Sequence, residues 1–130
     1  MAQPKLPGIE KRTQQVLDWM QQQWPAPFPV RIRWVKELVD RDDDENPFYC
    51  AETERIGKII RVTLSRRALR TYALAIDTII HEYAHARDTK HANLENRLER
   101  PHHGPEWGIY YAEMYSAYND EMGWQHSREY

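Results

Sequence analysis

Ile9, Val16, Leu17, Met20 and Trp24 recur at helical spacings among Gln, Lys and Asp. Residues so spaced share one face, and the pattern predicts an amphipathic helix. The run Pro25-Ala26-Pro27-Phe28-Pro29 ends it, because proline removes the N–H that a helix interior needs. The period then shortens to two. Val30, Ile32, Trp34 and, less regularly, Leu38 alternate with Arg31, Arg33 and Lys36, which predicts a half-buried strand from Val30 to Val39. Asp40 to Asn46 is acidic and reads as a solvated loop, since it lacks the glycine and distal Glu of a calcium loop. Phe48 to Glu54 and Lys58 to Leu64 are strand-like runs separated by Arg55-Ile56-Gly57, and together they predict a hairpin.

Ser65 can cap a short helical turn over Arg66 to Arg70. From Thr71 to Asp88 the stripe Tyr72, Ile76, Ile79, Ile80 and Tyr83 marks a long buried helix, with Ala73, Ala75, Ala84 and Ala86 allowing close approach. Thr89 to His102 is polar and reads as a long loop, with one helical turn around Leu94 to Leu98. A last helix begins after Gly104 with Pro105 at its first position and Glu106 near its positive end. Trp107, Tyr111, Met114, Tyr118 and Met122 form its stripe, and Gly123 stops it. The implied class is α+β, a three-stranded sheet packed on helices with the Thr71–Asp88 helix central.

A length of 130 residues suits one domain, with residues 1–8 as a flexible start and 9–130 as the folded unit. Composition is globular, at 41% hydrophobic and 29% charged. The net charge of −2 supplies no overall field for nucleic acid or an anionic membrane. One segment departs from that mean: Arg55 to Arg70 holds six Arg and Lys with no Asp or Glu, and any weak DNA binding is expected to run through it. Cys50 is the only cysteine, which excludes an intrachain disulfide or a thiolate zinc ribbon, and is expected to be a small core or strand residue. No stretch approaches a membrane span, so a cytoplasmic, soluble protein is expected.

The chemistry concentrates in His81-Glu82-Tyr83-Ala84-His85 on the central helix. Side chains four apart are one turn on, about 6 Å along the axis and rotated by only about 40°, so both imidazoles can reach one ion. Glu82, rotated by about 100° from His81, can meet a water at that ion without sharing the histidines' direction. The spacing points to Zn2+ hydrolase chemistry, in which two imidazoles hold the metal and the carboxylate accepts a proton. A catalytic zinc takes a third protein ligand. His91, His102, His103, Glu106 and Glu113 compete for that place, and Asp88 stands where a metzincin-type use of His91 would need glycine.

His103-Gly104-Pro105-Glu106-Trp107, taken with His81-Glu82-Tyr83-Ala84-His85-Ala86, resembles the SprT-like zinc metallopeptidases, the Spartan-type protease core. The similarity extends to Ile59–Ser65 and Trp34 and spans roughly Val30 to Met122. It implies a minimal zincin fold, His103 as third zinc ligand, and endopeptidase activity on protein or peptide substrates, DNA-associated proteins among them. Glu82 would be the general base, and Tyr110, Tyr111 and His102 are the nearest candidates for stabilising an oxyanion. Two other classes stay open: a zinc-containing DNA- or protein-binding module without hydrolytic activity, and a metal-free interaction domain.

Overall fold

The computed structural model describes residues 8–88 and 105–123. The first apolar stripe becomes α1 (Ile9–Gln23), with Val16, Leu17 and Met20 fully buried. Its inner face also takes in Thr13, whose hydroxyl donates to the Ile9 carbonyl at 2.6 Å, and Arg12, whose guanidinium lies 4.7 Å from the Tyr72 ring centroid. A flat, weakly hydrated guanidinium can stack on an aromatic face, which makes Arg a tolerable inward residue here. The helix closes where the Trp24 N–H donates to the Met20 carbonyl, immediately before the prolines.

The run from Val30 to Val39 is two strands. β1 (Val30–Val35) joins the main sheet, whereas β2 (Leu38–Val39) turns away to pair antiparallel with β3 (Phe48–Tyr49). Lys36 and Glu37 are consecutive and both exposed, so the period of two cannot pass through them. Between β2 and β3 the acidic stretch is an exposed loop. There Asp40 accepts from the Asp42 N–H, and Asp43 accepts from the N–H groups of Glu45 and Asn46. The aspartates thus build the turns of their own loop.

β4 (Ala51–Ile56) and β5 (Ile59–Ser65) form the hairpin, with a tighter turn than the residue pattern implied. Ile56 pairs with Ile59 across Gly57-Lys58, and Gly57 has φ +61°. A left-handed residue in a two-residue loop matches the twist of the flanking strands, so Arg55 and Ile56 stay within β4. Cys50 lies at a bend between β3 and β4 and is exposed, contrary to the expectation of a core or strand position. The polar Glu52 and Glu54 mark one face of β4 only, and Cys50 precedes the point where that alternation begins.

The main sheet has the order β1-β5-β4, with β1 parallel and β4 antiparallel to central β5. Ile60, Val62 and Leu64 of β5 are fully buried in the core beneath the helices. The outer edge of β1 is partly closed by Gln21, whose carboxamide donates to the Val30 carbonyl and accepts from the Val30 N–H. A side chain in that position substitutes for a neighbouring strand. Ser65 ends β5 and caps the following turn by accepting from the Ala68 N–H at 3.2 Å.

α2 (Tyr72–Arg87) starts at its Thr71 cap, whose hydroxyl accepts from the Leu74 N–H. Ile76, Ile79, Ile80 and Tyr83 are buried, as are Ala75, Ala84 and Ala86, whereas Ala73 is exposed. The helix packs against α1, β4 and α3 (Pro105–Tyr118), which continues into a π-helical turn at Asn119–Gly123. Tyr118 meets Trp19 edge-on and the Trp19 indole donates to Glu121, joining the end of α3 to α1. The described residues form an α+β structure, with three α-helices, a three-stranded mixed sheet and a small two-stranded sheet among them. No helix among the described residues is long and apolar enough to cross a membrane. The loop expected from Thr89 to His102 and the first seven residues lie outside the described residues.

Candidate metal centre

The α-helical repeat carries His81 and His85 to one face of α2 and directs them toward α3. Their ring centroids are 5.1 Å apart with planes inclined at 66°. One ligand atom from each, together with a carboxylate oxygen of Glu82, forms a group whose members all lie within 4.8 Å of one another. Glu82 and His85 are buried and His81 is half-buried. Two imidazole nitrogens and a carboxylate oxygen are a donor set suited to a transition-metal ion, so the group can hold one.

Glu82 reaches across from α2 to the sheet. Its Oε1 accepts a hydrogen bond from the Thr53 hydroxyl on β4 at 2.7 Å, and its Oε2 stands 3.6 Å from His81 Nε2. A carboxylate this deeply enclosed requires polar partners to offset its lost hydration. The Cys50 thiol, at the entry to β4, is pushed up in pKa first by desolvation and then by the negative charge of Glu82.

α3 supplies an aromatic wall. The Trp107 ring lies 4.9 Å from the His81 ring and 5.5 Å from that of His85, and its Nε1–H donates to the His81 carbonyl at 3.2 Å. Tyr111 stacks on Trp107 with centroids 5.1 Å apart, and Tyr115 follows at 5.6 Å from Tyr111. The Tyr111 hydroxyl donates a very short hydrogen bond to Asp77. Its pKa is raised, first by desolvation and then by that carboxylate.

Comparisons with protein-family models, curated proteins and solved structures found no match for this chain. The site therefore stands on its own geometry. His81, Glu82 and His85 come together as the motif spacing anticipates, and among the described residues they are the whole of the potential metal-holding group. Glu106 and Glu113 are not in it; Glu113 instead pairs with Arg87 at 2.8 Å. Of the oxyanion candidates, Tyr111 lies beside His81 but donates its hydrogen bond to Asp77, and Tyr110 packs under the Arg87 guanidinium at 4.3 Å. His91, His102 and His103 lie outside the described residues.

Thr53 is the site residue that sequence reasoning missed. The alternation of Ala51 and Thr53 with Glu52 and Glu54 marks the inward face of the strand, yet a threonine on such a face is ordinary. Only the packing of β4 against α2 identifies Glu82 as its partner. The basic run from Arg55 to Arg70 is in turn partly occupied by other groups. Arg61 pairs with Glu54, Arg66 with Glu10 and Arg67 with Glu37, while Arg55 lies over the Phe28 ring.

Proposed function

We propose that this chain is a zinc-dependent endopeptidase of minimal zincin type, with His81 and His85 as metal ligands, His103 as the third, and Glu82 as general base. The observation that carries the proposal is the disposition of Glu82: enclosed, oriented by the sheet, and one oxygen turned toward the paired imidazoles. A bound zinc ion supplies a Lewis acid that polarises a peptide carbonyl and acidifies water. Glu82 accepts a proton from the attacking water at Oε2 and returns it to the leaving amine, ending the cycle ionised. His103, two residues before the start of α3, is assigned as third ligand by the sequence resemblance.

The substrate class, proteins or peptides, is taken from the sequence resemblance, and β4, which meets Glu82 through Thr53, is the strand that lies against the site.

The decisive comparison is wild type against Glu82→Gln, using fluorophore-labelled casein. Glutamine keeps the volume and an oxygen for Thr53 while losing the basic carboxylate. Metal content is expected to persist at about one zinc per chain, whereas cleavage should fall by about a hundred- to ten-thousandfold. His81→Ala and His85→Ala should each release the metal. Equal, chelator-resistant cleavage by wild type and Glu82→Gln would overturn the assignment, and zinc retained without any cleavage would favour a binding module.

A further inference from the structure

We infer that Thr53 is a positioning residue for Glu82, holding one carboxylate oxygen so that the other alone faces the paired imidazoles. The inference rests on the reading of Glu82 as general base and adds to it a residue from a different element. The contact is enclosed: Thr53 is 0% exposed and Glu82 7% exposed, with 2.7 Å between hydroxyl and Oε1. An ionised carboxylate offers only acceptors, so the Thr53 hydroxyl must spend its single proton on Glu82.

Geometry makes this donor a rigid one. Thr53 is β-branched and sits within β4, directly opposite the fully buried Val62 of β5, so its χ1 is restricted by the strand and its neighbours. Glu82, by contrast, has three rotatable side-chain bonds, and a free carboxylate could present either oxygen. With Oε1 held from the sheet, Oε2 is the oxygen left 3.6 Å from His81 Nε2. The bond also suits both protonation states. A proton gained at Oε2 leaves Oε1 an acceptor, so the Thr53 contact survives each transfer without rearrangement, as a preorganised site requires.

Thr53→Val keeps the shape and strand preference and removes only the hydroxyl, whereas Thr53→Ser restores it. With labelled casein, Thr53→Val is expected to lower kcat by about tenfold, to leave KM within about twofold and to keep the zinc content; Thr53→Ser should recover most of the loss. An independent readout uses metal-free protein. Thermal unfolding of Thr53→Val, Glu82→Met and the double variant should be non-additive, because the two side chains form one contact. Additive melting shifts, or a Thr53→Val enzyme with unchanged kcat while Glu82→Gln is inactive, would overturn the role of Thr53 alone. Full activity of Glu82→Gln would instead remove the general-base reading on which it rests.

Discussion

On the proposed reading, with Glu82 as base, the two imidazoles would leave a catalytic zinc ion one protein ligand short. Among the alternatives weighed from the residue pattern, Glu113 is engaged with Arg87. His103 immediately precedes Gly104-Pro105, where α3 begins. Replacing it by Ala is therefore expected to weaken zinc binding by orders of magnitude, while His91→Ala and His102→Ala stay near wild type. A competition titration with a chromogenic chelator measures all three. Damage confined to His91→Ala would assign the site a metzincin-like ligand set and displace the SprT-like resemblance. The motif histidines and Glu82 were legible at this scale because helical periodicity is local; Thr53, separated from Glu82 by 29 positions, was not.

Between elements, aromatic residues with polar tips make the joints. Tyr111 and Trp107 connect α3 to α2, and Tyr83 connects α2 to the chain after α1 by donating to the Trp24 carbonyl at 2.6 Å. Burial pushes the Tyr83 pKa up to about 12 from an ordinary value of 10.0. A folded-state value above the unfolded one means the stabilisation is complete below about pH 10 and is lost as pH rises through the folded value. Tyr83→Phe should therefore cost about 1 kcal/mol at neutral pH through the lost hydrogen bond. Its stability should also decline less than that of wild type between about pH 10 and 12. Urea unfolding at a series of pH values measures both effects, and parallel pH profiles for the two proteins would rule out Tyr83 as the titrating joint.

For the molecule as a whole, the net charge of −2 conceals the basic run from Arg55 to Arg70. Folding brings Glu10, Glu37 and Glu54 against three of its arginines. The two exposed pairs, Arg66–Glu10 and Arg67–Glu37, contribute little to stability, yet all three acids compete with an outside anion for the guanidinium groups they meet. Any association with DNA is accordingly expected to be weak and to fall steeply with salt through counterion release. Charge reversal at Arg66 and Arg67 should abolish it. A fluorescence-anisotropy titration at several salt concentrations tests this, and binding that survives the reversal would put the nucleic-acid surface elsewhere.

Local sequence determined the helices, the hairpin and the shared face of His81 and His85, because a repeat of 3.6 or 2 residues is written into neighbouring side chains. It also located the proline starts and stops. The tertiary structure decided the rest: that the run after Val30 divides between two sheets at Lys36-Glu37, that β1 lies parallel to β5, and that Cys50 is exposed. It alone brought Thr53 to Glu82 and Trp107 to both histidines. Such pairings depend on how elements distant in the chain pack, and periodicity specifies which face of an element is buried without naming the side chain it meets.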